Sequence, residues 1–246
     1  MEQDFIFGKN SVIGALENYK GRINKILISK SAGVDVKIKE ITELARQNKI
    51  SFQFVPKEKL QKYKDVNHQG VIAFVSPIEY KSLDVLFETK EDEYKKIIIL
   101  DGIEDSHNLG AIIRTAVCAG FDAIILPQHR GALINSTTEK TSAGAVNSIN
   151  IIKVNSLTDA VKKLKDNNYW VIAADAHGKD NYFEVDYTDM NLALVMGAEH
   201  AGVSKTLLKQ SDFVVKIPMF NEFNSLNVSV STGILIYEIV KQSMQK

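Results

Sequence analysis

The sequence predicts an α/β protein: a mostly parallel sheet flanked by helices in the larger C-terminal part, and a small α/β unit ahead of it. Three observations carry this. From Lys95 onward, short apolar runs alternate with amphipathic helical patterns, the sequence form of repeated βα units. The runs are continuously apolar rather than alternating, as strands covered on both faces require. The first 76 residues hold their own helix and strand patterns, set apart by Pro77 and a charged stretch.

Taken in order, residues 10–18 (NSVIGALEN) read as a short capped helix and 23–29 (INKILIS) as a strand. Residues 34–48 form an amphipathic helix with Ile38, Ile41, Leu44 and Ala45 on one face. Residues 51–55 and 71–75 (VIAFV) complete the unit as strands. Residues 77–94 carry the run Lys90-Glu91-Asp92-Glu93 but also Leu83, Val85, Leu86 and Phe87, which predicts a linker with one short helix. The expected division is therefore 1–76, 77–94 and 95–246. In the last part, strands are predicted at 97–100, 123–126, 149–154, 170–174, 192–196 and 213–217, and helices at 109–119, 157–167, 204–210 and 226–242.

Composition removes several function classes. With 45% apolar residues, 14 Gly and only 4 Pro, collagen-like, mucin-like and disordered chains are excluded. Cys118 is the single cysteine, so neither a disulfide framework nor a cysteine-based zinc cluster is possible; in its setting, AVCAG, a buried structural thiol is expected. The five histidines are scattered, and no metal is expected. No apolar stretch approaches the roughly 18–20 residues that span a bilayer. The start, Met1-Glu2-Gln3-Asp4, is acidic and unlike a secretion signal. A cytoplasmic protein is expected. Dinucleotide, P-loop and nucleophile-elbow patterns are absent. The 30 basic and 30 acidic residues cancel, yet residues 1–80 hold 13 Lys/Arg against 9 Asp/Glu, and the remainder 17 against 21. The first segment can therefore present a basic face.

Three polar clusters break their local context. The first, Asp101 to Thr115 (DGIEDSHNLGAIIRT), leaves a strand and enters a helix near Asn108, a good capping residue. Gly110 permits close approach to the first turn, and Arg114 falls inside an apolar helix. That arginine either reaches solvent along its stem or aims its planar fork at a phosphate or carboxylate. The second, Val195 to Ser204 (VMGAEHAGVS), is a strand end with glycines at 197 and 202 and Glu199 at the carboxyl edge of the sheet, where open α/β sheets bind ligands. The third, Ile217 to Ser231, places Ser225, Asn227, Ser229 and Ser231 at the start of a long apolar helix. One cap does not need four small polar residues; they suggest a packed polar site or a dimer face.

In this order the clusters resemble the three motifs of the SpoU (TrmH-like) branch of the SPOUT RNA methyltransferases. The matching patterns are N-x-G-x-x-x-R-T (Asn108, Gly110, Arg114, Thr115), G-x-E-x-x-G (Gly197, Glu199, Gly202) and I-P-M…S-L-N-V-S (Ile217 to Met219, Ser225 to Ser229). Phe7 to Val12 and His68 to Val71 resemble the family's small substrate-binding domain, itself similar to ribosomal protein L30e. Within the family the likeness is to members that methylate a guanosine ribose 2′-hydroxyl of large-subunit (23S) ribosomal RNA.

The resemblance implies a knotted catalytic domain with a deep trefoil at its C-terminus, S-adenosylmethionine (SAM) as cofactor and a homodimer formed through that domain. Carried over residue by residue, it implies cofactor contacts at Gly197, Ile217 and Leu226. It implies Arg114 as the catalytic group, supported by Asn108, Glu199, Ser225 and Asn227. Ser106, His200 and Ser231 depart from common family choices. With RNA as substrate, Lys9, Arg22, Lys25 and Lys30 become candidates for phosphate contact. Alternatives are a tRNA 2′-O-methyltransferase of the same family and a non-catalytic RNA-binding or assembly factor.

Overall fold

The structure, a computed structural model, describes residues 4–18, 20–33, 35–63, 66–88, 94–199, 201–221 and 225–245. Its first elements are β1 (Phe5–Phe7), α1 (Lys9–Asn18), β2 (Ile23–Ser29), α2 (Val36–Gln47), β3 (Ser51–Val55) and β4 (Val71–Val75). Then come β5 (Lys96–Asp101), α3 (Ser106–Cys118), β6 (Ala123–Pro127), α4 (Ser136–Thr141), β7 (Asn150–Val154) and α5 (Leu157–Asp166). The chain ends with β8 (Tyr169–Ala174), β9 (Asp180–Asn181), β10 (Asn191–Gly197), α6 (Lys205–Gln210), β11 (Phe213–Lys216) and α7 (Val228–Met244). The predicted elements all occur, with ends shifted by up to three residues. Unforeseen were β1, α4 and β9, of 3, 6 and 2 residues, each too short to show a period.

The contacts divide the chain into two compact units. One comprises the residues up to Ile78 together with Ile134–Asn147; the other comprises Glu79–Leu133 and the residues from Ser148 on. The segment 134–147 therefore belongs with the first unit, although the contiguous reading placed it within 95–246.

Among the described residues, the first unit holds a four-stranded sheet in the order β1-β4-β2-β3. β4 runs antiparallel to both neighbours, and β2 pairs parallel with β3. On α2, Ile38, Ile41 and Ala45 are buried at helical spacing, and they join Val12 and Leu16 of α1 and Ile26 and Ile28 of β2 in one core. The start of α2 is set by Asp35, whose carboxylate accepts from the Ile38 amide at 2.9 Å. α4 is capped likewise by Asn135, which accepts from the amides of Thr137 and Thr138.

In the second unit the order is β7-β6-β5-β10-β8-β11-β9, and every pairing is parallel. Ile97, Ile98, Ile99 and Leu100 of β5 are all fully buried, which explains their unbroken apolar run: each face is covered. On one side Ile97 and Ile99 pack with Leu157, Val161 and Leu164 of α5 and Leu207 of α6. On the other, α3 packs on α7, and α7 on β10. The apolar residues of the expected linker are part of this unit. A 3₁₀ turn at Leu83–Leu86 buries Leu83 and Leu86 in its core, and the Tyr169 hydroxyl donates to the Leu86 carbonyl at 3.2 Å. The charged run at 90–93 lies outside the described residues.

Two local expectations are corrected. α3 begins at Ser106 and is capped by Asp105, which accepts from the His107 amide at 2.9 Å. Asn108 sits in its first turn, because the carboxylate three residues earlier takes the capping role. Cys118 is exposed: it lies two residues, about 200° of helix rotation, beyond buried Ala116, so apolar neighbours in sequence do not bury it. Among the described residues no helix is long and apolar enough to cross a membrane, and no group of His, Cys, Asp or Glu is placed to hold a metal ion.

Candidate active site

Parallel strands end at one edge, and β8, β10 and β11 lie side by side, so their carboxyl ends converge. A cleft of about 820 Å³ opens there. Its lining includes Asp175 and His177 after β8, Met196 to Glu199 around the end of β10, Ile217 to Met219 after β11, and Ser225, Leu226, Val228 and Ser231.

The turn after β10 is set by its glycines. Ala198 and Gly202 form a bridge, with the Gly202 amide donating to the Ala198 carbonyl at 2.8 Å. Gly202 has φ +65°, in the left-handed region that glycine adopts without cost. At Gly197 a Cβ would lie 2.0 Å from the Gly202 carbonyl carbon. The reason for glycine there is steric: the chain doubles back onto itself, backbone against backbone.

The third motif begins α7. Asn227 is its N-cap, its side-chain oxygen accepting from the Ser229 amide at 2.9 Å and the Val230 amide at 3.4 Å. The other half of the same amide group, Nδ2, donates to Oδ1 of Asn108 at 3.0 Å. One asparagine thus starts α7 and ties it to the first turn of α3. Ser229 also donates to Asn227 Oδ1, at 2.5 Å, so two of the extra polar residues serve one local network.

Of the expected site residues, Gly197, Glu199, Ile217, Ser225 and Leu226 line one cleft. Asn108 and Asn227 are joined to each other, and Asn227 follows cleft-lining Leu226 directly. Arg114 is exposed on α3 and is not part of the cleft wall; it has no hydrogen-bond or ion-pair partner among the described residues. Asp175 and His177 were not singled out from sequence; their only signal was position, as polar residues just past a strand. Asp175 is itself organised, accepting from the His177 amide at 2.8 Å.

The four basic candidates of the first unit separate into two pairs. Lys9 forms an ion pair with Asp35, and that hydrogen bond holds the Asp35 carboxyl below its ordinary range. Arg22 is part-buried and bonded to Ser76, Glu139 and Asn147. Lys25 on β2 and Lys30 just after it are exposed.

Comparison with known proteins bears on this arrangement. The family described as "SpoU rRNA Methylase family" matches residues 95–237. A second, described as "RNA 2'-O ribose methyltransferase substrate binding", matches residues 5–81. A Staphylococcus saprophyticus protein, provisionally named as a TrmH family tRNA/rRNA methyltransferase, is 38% identical over 244 residues, covering 98% of this chain and 97% of its own. The AdoMet-bound rRNA methyltransferase of Sinorhizobium meliloti is 25% identical, with a TM-score of 0.79 over 97% of this chain and 87% of that one. The SpoU methyltransferase AviRb of Streptomyces viridochromogenes has the same fold, with 22% identity and a TM-score of 0.82 over 99% and 90% of the two chains. Because the methylase pattern covers more than half of the chain and a relative matches it almost end to end, the protein belongs to the SpoU family of SAM-dependent RNA 2′-O-ribose methyltransferases.

Proposed function

We propose that this enzyme methylates the ribose 2′-hydroxyl of a guanosine in 23S ribosomal RNA, with the cofactor in the cleft at the ends of β8, β10 and β11. The observation that carries the site assignment is the Asn227–Asn108 hydrogen bond. It joins the first and third motifs beside a cleft lined by the second and third.

The cleft fits SAM by its own chemistry. Its volume is within the ~300–1,000 Å³ usual for small-molecule sites. Met196, Ile217, Leu226 and Val228 offer apolar surface for a purine, while Asp175 and Glu199 offer carboxylates to cationic or hydroxyl groups. Gly197, Ile217 and Leu226 are the residues assigned to hold it. Bound there, SAM supplies a methyl on a positively charged sulfur, open to in-line displacement by the ribose 2′-oxygen. Arg114 grips the phosphate beside that ribose and stabilises the developing alkoxide. A guanidinium keeps its proton in proteins and does not serve as the base; the proton leaves to phosphate or water. Asn108, Glu199, Ser225 and Asn227 position the reacting groups.

In this reading residues 1–76 recognise RNA, with exposed Lys25 and Lys30 as phosphate contacts, and 95–246 catalyse transfer. The all-parallel order of the second unit's strands, with the cleft at the carboxyl ends of β8, β10 and β11, supports a knotted catalytic domain. Val230, Tyr237 and Met244, spaced two helical turns apart on α7, are 51%, 52% and 81% exposed. That apolar stripe supports a homodimer through this domain. A cytoplasmic location accords with the substrate.

A tRNA substrate is the second reading, since the staphylococcal relative's name pairs tRNA with rRNA. Labelled SAM incubated with separated, unmodified tRNA and ribosomal RNA, followed by mapping of the methylated nucleotide, decides between them. Label on tRNA alone overturns the ribosomal reading.

A further inference from the structure

Arg22 is the centre of a polar network inside the first unit. Its Nε and Nη2 donate to the Ser76 carbonyl at 2.9 and 2.7 Å, Nη1 to Asn147 Oδ1 at 2.5 Å, and Nη2 to Glu139 Oε1 at 3.1 Å. The side chains of Arg22 and Glu139 are only 18% and 6% exposed. The position of these partners along the chain is what matters. The chain passes between the units at 78–79, 133–134 and 147–148. Ser76 lies two residues before the first crossing, Asn147 ends at the third, and Glu139 is on α4, which starts just after the second. One guanidinium therefore gathers chain near all three.

Stability alone does not account for this pair. Glu139 Oε2 is buried without a hydrogen-bond partner among the described residues, and burial raises the Glu139 carboxyl above its ordinary range although Arg22 opposes that shift; Asp4 adds a weaker upward push. A half-satisfied buried ion pair is often no better than apolar packing, and such pairs are retained where they fix one arrangement. Lys140, on the same short helix, lies over the Phe7 ring at 4.8 Å, which adds a second tie to β1.

We propose that Arg22 is a positioning residue for RNA methylation: with Glu139 and Asn147 it clasps the 134–147 excursion into the substrate-binding unit, so that the chain joins the two units at three places and not at one. This rests on the reading that the first unit binds RNA. A loosened tether lowers the effective concentration of bound RNA at the catalytic unit, whereas cofactor binding, confined to the second unit, is untouched.

The test uses the full-length enzyme and variants Arg22→Ala, Arg22→Lys and Asn147→Ala. It measures KM for RNA, the SAM dissociation constant, the dependence of RNA affinity on salt, and amide exchange over 134–147. Expected are a roughly tenfold rise in KM for RNA in both alanine variants, unchanged SAM affinity, faster exchange over 134–147 and a salt slope equal to wild type. Arg22→Lys, which keeps the charge beside Glu139, recovers part of the loss. If Arg22→Ala flattens the log–log salt slope by about 0.7–0.9 while Asn147→Ala is neutral, Arg22 contacts an RNA phosphate and the clasp is wrong. Faster exchange with an unchanged KM makes the network merely structural, which also overturns it. A Lys25→Glu, Lys30→Glu double variant tests the underlying reading separately: an unchanged KM for RNA there removes the RNA role of the unit, whatever Arg22 does.

Discussion

Asn227 performs two tasks through two ends of one amide, so two substitutions separate them. Asn227→Ala removes both the cap of α7 and the bond to Asn108. An N-cap loss costs ~1 kcal/mol and an exposed side-chain hydrogen bond ~0.5 kcal/mol, together about 1.5 kcal/mol. For a protein of this size that lowers Tm by roughly 3–6 °C. Asn227→Asp keeps an oxygen on the Ser229 and Val230 amides and adds a negative charge at the helix N-terminus, favourable by ~0.3–1 kcal/mol. It removes the donor toward Asn108, however, and sets a carboxylate against an amide oxygen that was 3.0 Å from Nδ2. The Asp variant should therefore melt within ~2 °C of wild type. Its kcat should fall at least tenfold, equivalent to ~1.4 kcal/mol of lost positioning, with SAM affinity little changed. Thermal melts, SAM calorimetry and steady-state methylation measure all three. If the Asp variant turns over at the wild-type rate, the Asn108–Asn227 bond has no part in positioning. If the Ala variant melts like wild type, the cap does not hold α7.

Three further outcomes are expected. Arg114→Lys keeps charge but loses the fork, and should lower kcat by at least ~30-fold, about 2 kcal/mol; near-native turnover removes the bidentate role. Gly197→Ala would drive a methyl to 2.0 Å from the Gly202 carbonyl carbon, so calorimetry should show SAM binding weakened more than ~100-fold or abolished; retained affinity means the turn is not part of the cofactor site. Glu139 has its folded pKa raised from the ordinary 4.5, chiefly by burial. The native state then binds more protons than the unfolded one above pH 4.5, and this contribution to stability is lost as pH rises through the folded value. Glu139→Gln, which keeps an acceptor for Arg22, should gain Tm relative to wild type from pH 4.5 toward neutrality and converge with it below; a pH-independent difference refutes the burial argument.

The apolar runs of β5, β6, β8 and β10 are visible in sequence because parallel strands are buried on both faces, and α2 and α5 because their apolar residues recur at helical spacing. The glycines at 197 and 202 and the polar start of α7 were likewise legible as departures from local pattern. α4 was not, since six polar residues (STTEKT) have no apolar period and their place depends on a partner more than a hundred residues away. Arg22 shows the same limit. As a basic residue in a basic segment it read as an RNA contact, while the folded chain gives it a carbonyl, an amide and a carboxylate as partners. Asp175 carries only the weak signal of a polar residue just past a strand, and becomes a cleft residue because β8, β10 and β11 are neighbours.

The amino-acid sequence by itself determined the strands and main helices, the family and the residue types of its three motifs, because those depend on periodicity and on short spacings. Tertiary structure decided which of those residues share a cleft, that one asparagine links two motifs, and that a segment from within the methylase match at 95–237 folds with the first unit. Such facts rest on contacts between residues far apart in the chain, where burial and hydrogen bonding, rather than local preference, choose the partner.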